Sequence, residues 1–142
     1  MGTDKYEALG PMYADIGGEV ADIVGGDPDG AFLYAEVGEG WVFASVFKDE
    51  GASVRYFDPS PELSDLLLKA WEAEEPDKRW AVMEYEIKGT AFDAHLLFPE
   101  EIDQKVHASQ RRPVVLKRRY GDKPIIYPPI PEHLLRSGAE ED

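Results

Sequence analysis

Residues 31–51 read AFLYAEVGEGWVFASVFKDEG, two apolar runs separated by turn residues at 38–40 and closed by turn residues at 48–51. Runs rich in β-branched and aromatic residues, bounded by glycine and acidic residues, are typical of strands joined in a hairpin. A two-residue loop at 39–40 places small apolar residues opposite one another on one face, in the pairs Val37–Val42, Ala35–Ala44 and Leu33–Val46. This register predicts an antiparallel sheet with a continuous apolar face.

The opposite face of the predicted hairpin is also mostly apolar, because it gathers Phe32, Tyr34, Glu36, Phe43 and Phe47. A sheet with two apolar faces has to be covered on both sides. We expect helices on one side and either the basic C-terminal segment or a partner protein on the other.

The remaining pattern predicts an α+β domain in the order α-βββ-α-ββ-α, with an antiparallel sheet of about five strands packed with two main helices. Residues 53–57 complete a three-stranded meander, and residues 79–88 and 90–98 form a second hairpin. We expect residues 1–122 to form this single domain, and residues 123–142 to form a proline-rich C-terminal arm and an acidic tail.

Caps and apolar spacing predict three helices. Pro11 opens the first, and the glycine pair at 17–18 in its interior predicts either a break or an unusually close neighbour. The second helix begins with Ser60 as its N-cap and Pro61 in its first position. The third is short and basic, and it opens at Pro113.

Charge and composition narrow the classes of function. The 142 residues carry 29 acidic and 15 basic side chains, a formal net charge of −14, and no cysteine. Such a field repels nucleic acid and anionic membranes and attracts cationic partners. Disulfides, thiolate catalysis and cysteine-ligated metals are excluded, and no apolar run reaches the roughly 18 residues of a membrane span. We expect a cytoplasmic protein that binds a basic protein, and neither nucleic acid nor membranes.

Basic residues concentrate in the segment 105–123. In a strongly acidic chain, such a cluster favours docking on the protein's own acidic surface or on a second copy, as in a homodimer or a self-associating structural domain. The predicted self-docking residues are Arg111, Arg112, Lys117, Arg118 and Arg119.

The second hairpin carries the strongest candidate for chemistry. With Lys88-Gly89 as its loop, Glu84 lies opposite Asp93, and His95 shares their face. Two carboxylates and an imidazole are suited to hold a divalent metal or to act as acid and base. A small metal-dependent enzyme or ligand-binding domain built on these three residues is therefore an alternative. No phosphate-binding loop or nucleophile motif accompanies them, and we expect no catalysis and no cofactor.

A binding function uses more of the sequence. Carboxylates beside an aromatic anchor clamp lysine- and arginine-rich partners through charge-assisted hydrogen bonds. The residues predicted to contact such a partner lie on the two hairpins: Glu36, Glu39, Trp41, Glu84, Glu86 and Asp93.

The stretch FLYAEV at 32–37 resembles the first strand of the YezG-like immunity protein family, formerly a domain of unknown function. The run RRPVVLKRRYG at 111–121 resembles the charged, aromatic C-terminal segment of that family. The element order is similar over residues 12–121. The resemblance implies an immunity protein that neutralises a polymorphic bacterial toxin, often a nuclease. The proline-rich arm after Lys123 and the compact linker around Pro76 depart from the family pattern and leave subfamily and partner open.

Overall fold

The computed structural model describes residues 2–128, with side chains from Gly10 onward. The fold is α+β, as predicted. The elements follow in the order α1 (Gly2–Val24), β1 (Ala31–Gly38), β2 (Trp41–Asp49), β3 (Val54–Phe57), α2 (Pro61–Glu72), a 3-10 turn (Pro76–Lys78), β4 (Val82–Lys88), β5 (Ala91–Leu97), a 3-10 turn (Pro99–Glu101), α3 (Ala108–Tyr120) and β6 (Ile125–Ile126). None of the helices in residues 2–128 combines the length and apolar character that a membrane crossing requires.

The strands form one sheet in the order β5-β4-β1-β2-β3-β6, with β1 near the middle. Neighbouring strands are antiparallel except β3 and β6, which run parallel. The sixth strand exceeds the predicted number and comes from the start of the segment predicted as a proline-rich arm. There the Val54 backbone N–H donates to the Pro124 carbonyl at 2.9 Å. Residues 129–142, the rest of that predicted arm and tail, lie outside the described residues.

The first hairpin has the predicted register, with the pairs Val37–Val42, Ala35–Ala44 and Leu33–Val46. Residues Ala31–Val37 are all buried, so both faces of β1 are covered. α1 and α2 pack on the face that contains Leu33. On the opposite face, Val115 and Leu116 of α3 pack in a cluster with Phe32. Helices thus cover one side of the sheet and the basic C-terminal segment covers the other.

The register predicted for the second hairpin is wrong by two residues. Its loop consists of Gly89 and Thr90, one residue later than predicted, so Glu84 pairs with His95 instead of Asp93. Gly89 has a φ of +62° and occupies the first loop position. The type II′ turn, one of the two favoured in two-residue hairpins, has glycine at this position. A slip of two residues keeps every side chain on its predicted face and changes only its partners across the strands.

The helix starts were predicted correctly for α2 only. The Oγ of Ser60 accepts a hydrogen bond from the Leu63 backbone N–H at 3.1 Å, as an N-cap residue does. α1 begins at Gly2 and continues through Pro11. Proline is compatible with a helix start, but its presence does not require one, and here the helical segment extends on both sides of it.

α3 begins at Ala108, five residues before the proline predicted to open it, because His107 caps it. The Nδ1 of His107 accepts from the Ser109 backbone N–H at 3.1 Å, and the His107 backbone N–H donates to Oε1 of Gln110 at 3.3 Å. This reciprocal cap satisfies two donors of the first turn. Histidine is not among the usual N-cap residues, so the sequence pattern did not reveal this start.

The glycine pair in α1 has the close neighbour that its sequence predicted. Tyr85 of β4 donates from its Oη to the Tyr13 carbonyl at 2.7 Å. A Cβ on Gly17 would lie 2.5 Å from that Oη, whereas a Cβ on Gly18 would have nothing within 4 Å. α1 therefore approaches the sheet at Gly17 more closely than any residue with a side chain allows.

We expect Gly17→Ala to destabilise the protein, although alanine favours helices. The added methyl group collides with a buried phenol, and overpacking costs about 1–3 kcal/mol, against a propensity gain of about 1 kcal/mol. Gly18→Ala is the matched control, and we expect it to raise the free energy of unfolding. Urea denaturation measures both variants, and equal effects at the two positions would contradict the close packing.

Candidate functional site

An ion pair between Glu36 of β1 and Arg111 of α3 lies on the α3 side of the sheet, near its β1–β2 end. Nε of Arg111 donates to Oε2 of Glu36 at 2.9 Å, and Nη2 donates to Oε1 at 2.6 Å. The Oη of Tyr34 donates to the same Oε2 at 2.5 Å. Nη1 of Arg111 donates to the carbonyls of Asp103 and Val106. The carboxylate is only 2% exposed, so its charge is compensated within the chain.

The protonation states of this cluster follow from burial and from the pairing. Burial raises the pKa of Tyr34, and its hydrogen bond to Glu36 raises that pKa further. The hydrogen bond to Glu36 raises the pKa of the Arg111 guanidinium. Tyr34 therefore stays a neutral donor and Arg111 a cation, the states in which all three hydrogen bonds to the carboxylate form.

Three further ion pairs attach the basic segment to the sheet. Arg118 contacts Glu84 at 2.7 Å, and Arg119 contacts Glu86 at 3.2 Å. Lys123 contacts Asp49 at 2.9 Å, and this hydrogen bond lowers the pKa of the Asp49 carboxyl. The basic segment thus lies on the chain's own acidic sheet face, and Glu36, Glu84 and Glu86, which we predicted to contact a partner, face α3 instead of solvent.

The other two basic residues of the predicted self-docking set behave differently. Arg112 donates from Nη1 to Oγ of Ser45 at 2.7 Å and stacks 5.3 Å from the centre of the Phe43 ring. Lys117 points away from the sheet, is 69% exposed and pairs with Asp122 of the following turn. Docking therefore uses all four arginines of α3 and leaves its lysine in solvent.

Glu84, Asp93 and His95 are not assembled as a metal-binding set. Glu84 lies opposite His95, but its carboxylate accepts a hydrogen bond from Nη2 of Arg118 in α3, at 2.7 Å. Asp93 lies on the edge strand, 71% exposed and 3.8 Å from the Nζ of Lys88. Within the described residues, no group of three histidine, aspartate or glutamate side chains is placed to hold a metal ion.

Glu39 and Trp41 lie at the β1–β2 turn, at one end of the sheet, and both are exposed. Trp41 is 49% exposed, and its indole lies against Gly38 so closely that a Cβ there would collide with the ring. Of the six predicted partner contacts, these two and Asp93 therefore remain accessible.

A cleft beside this turn brings together the three tryptophans of the chain, Trp41, Trp71 and Trp80. We call it the tryptophan cleft; its volume is about 340 Å³. The indole N–H of Trp71 donates to the Trp80 carbonyl at 2.7 Å, and Cζ of Arg79 lies 4.4 Å from the centre of the Trp71 ring. A neighbouring cavity of about 500 Å³ shares Trp41, Gln104 and Arg111 with this cleft.

Sequence reasoning did not find the tryptophan cleft. Trp71 fits the apolar stripe of α2 and reads as an ordinary core residue, and no periodicity connects it with Trp41 on the first hairpin. Arg79 and Trp80 were predicted to begin a strand, whereas β4 begins at Val82 and both residues lie in the connection before it. The only available signal was the small number of tryptophans, which does not show that they meet.

The helices on the side of the sheet opposite α3 are acidic. α1 contains five acidic residues and one basic residue, and α2 contains three and one, whereas α3 contains five basic residues and no acidic residue. A groove of about 480 Å³ between α1 and α2 is lined by five carboxylates: Asp15, Glu19, Asp22, Glu62 and Asp65. We call this surface the acidic helix face. The helices that cover the two sides of the sheet therefore carry opposite charge.

No protein-family model matches the chain, and no curated protein is significantly similar to it in sequence. The resemblance to the YezG-like immunity proteins therefore stays a prediction.

We expect Arg111→Met to destabilise the protein strongly, because it leaves the carboxylate of Glu36 buried without its cation. Breaking a buried pair on one side costs about 3–5 kcal/mol. Arg55→Met is the matched control, since the Arg55–Glu50 pair at 3.1 Å is exposed, and exposed pairs contribute little.

Adding Glu36→Gln to Arg111→Met removes the orphaned charge and keeps an acceptor for Tyr34, so we expect it to restore part of the lost stability. Urea denaturation of the single and double variants measures this. A double variant as unstable as the sum of both single changes would show that the pair contributes nothing beyond its separate residues.

Proposed function

We propose that the protein is a non-catalytic, acidic protein-binding module of the immunity type, which binds a basic protein on its acidic helix face. The observation that carries this proposal is the separation of charge between the two sides of the sheet. Glu36, Glu84 and Glu86 of the sheet are paired with α3, while the carboxylates of α1 and α2 line a groove on the other side of the sheet. Five carboxylates therefore line one accessible groove between these helices.

The geometry of the acidic helix face suits lysine and arginine side chains. Asp15 and Asp22 of α1 are exposed, and Glu19 between them is half-buried. Glu62 and Asp65 of α2 line the other wall of the groove. Carboxylates held on two packed helices are preorganised, so a partner's cations gain several charge-assisted hydrogen bonds without ordering a loop.

We infer the class of partner from the negative charge of the acidic helix face. An acidic face on a chain of net charge −14 accelerates encounter with a cationic protein and makes binding sensitive to salt. A nuclease holds phosphates with cationic groups, so its active site is a surface that this face complements. We therefore propose a nuclease toxin as the partner, neutralised in the cytoplasm by occlusion of its basic site.

The test compares three forms of the tagged chain as baits in native cells: the natural chain, the triple variant D15N/E19Q/D22N and the triple variant E39Q/D77N/E100Q. Both variants remove three carboxylates and change the net charge equally, but only the first removes them from the acidic helix face. Mass spectrometry quantifies the proteins retained at low salt and again above about 0.1 M, where the Debye length falls to about 10 Å.

We expect one basic protein to be retained by the natural chain and by E39Q/D77N/E100Q, to be lost from D15N/E19Q/D22N, and to dissociate as salt rises. The purified partner should then lose its nuclease activity on adding the natural chain in equimolar amount. Loss of the partner from E39Q/D77N/E100Q instead would place binding at the β1–β2 turn or at the two 3-10 turns that carry Asp77 and Glu100, and would overturn the assignment to α1 and α2. An active nuclease in the complex would overturn the immunity role.

A further inference from the structure

We propose that the tryptophan cleft is a binding site for a small aromatic carboxylate. This site lies at the β1–β2 end of the sheet and is separate from the acidic helix face, so the inference does not depend on the proposed protein partner.

The cleft has the size and apolar lining of a small-molecule site. Its volume of about 340 Å³ lies within the range of about 300–1,000 Å³ for ligand pockets. Trp71 and Trp80 are buried in its wall, and Trp41 is half exposed at its rim. Pro99 and Ile102 add apolar surface. Such a lining favours an apolar ring, which stacks on the half-exposed indole of Trp41.

Two residues that line the cleft have buried donors without acceptors among the described residues. Trp80 is 1% exposed, and its indole N–H has no partner among the described residues. Arg79, the next residue along the wall, also has a buried Nε without a partner. Both nitrogens have almost no accessible surface. A ligand in the cleft therefore meets the positive charge of Arg79 at the ends of its guanidinium group rather than these two atoms.

The charge of the cleft favours an anion. Its carboxylate, Glu36, is matched by Arg111 in the bidentate pair. Arg79 has no carboxylate within 4 Å in the part of the chain that is described; its Nη2 donates only to the Glu72 carbonyl, at 3.2 Å. The guanidinium also covers the Trp71 face, so a cationic ligand would meet both a like charge and an occupied ring. A carboxylate instead gains a charge-assisted hydrogen bond.

The experiment uses phenylacetate, with phenylacetamide and phenethylamine as neutral and cationic probes of the same ring. Since the three tryptophans of the chain all line the cleft, the three indole N–H signals in a ¹H–¹⁵N NMR spectrum report directly on its occupancy. We expect phenylacetate to shift these signals saturably, most at the half-exposed Trp41, and to bind about tenfold or more tightly than either other probe.

Arg79→Gln should weaken phenylacetate binding about tenfold or more and leave phenylacetamide unaffected. Arg55→Gln, which changes an exposed arginine of β3, is the matched control and should leave both unaffected. Trp41→Ala changes an exposed rim residue, so it gives a second test if Arg79→Gln fails to fold, and it should weaken both probes.

Three results would overturn the proposal: no saturable shift with phenylacetate, equal binding of all three probes, or preference for phenethylamine. The second would identify an unselective apolar cleft, and the third a cation site. Loss of the basic partner in the bait experiment would not affect this outcome, because the acidic helix face is not involved.

Discussion

The buried carboxylate of Glu36 governs what can cover the second face of the sheet. It lies on a central strand whose residues Ala31–Val37 are all buried, and an unpaired charge at such a depth is strongly unfavourable. An apolar helix would bury it without compensation. Arg111 supplies two hydrogen bonds and Tyr34 a third, so the helix that covers this face has to be one that carries arginine. This explains why an acidic chain contains a basic helix.

The same pairing decides which charges remain for intermolecular contacts. α3 neutralises the acidic residues of β1 and β4 that would otherwise face solvent. Five carboxylates that α3 does not neutralise line one groove between α1 and α2. At the end of the sheet, where α3 begins, Arg111 pairs with the carboxylate of Glu36. Arg79 of the tryptophan cleft has no carboxylate within 4 Å among the described residues, and its Nη2 donates to the Glu72 carbonyl.

Local sequence signals predicted the parts of the fold that neighbouring residues decide. Alternation and loop length are sufficient for the register of the first hairpin, and a serine followed by proline is sufficient for the start of α2. The predicted register of the second hairpin was wrong by two residues, because glycine fits either position of a two-residue loop. Both loop positions leave each side chain on the same face of the sheet, so the apolar pattern does not distinguish them. The start of α3 was missed because histidine caps it.

By itself, the sequence determined the fold class, the two apolar faces of the central strands and the presence of a basic segment able to cover one of them, because alternation and charge are local properties. Only the tertiary structure decided which carboxylates that segment takes. Glu36 and Arg111 are 75 residues apart, and no periodicity relates positions at that distance. For the same reason, the meeting of Trp41, Trp71 and Trp80 in one cleft was decided by the packing of a hairpin, a helix end and a connection.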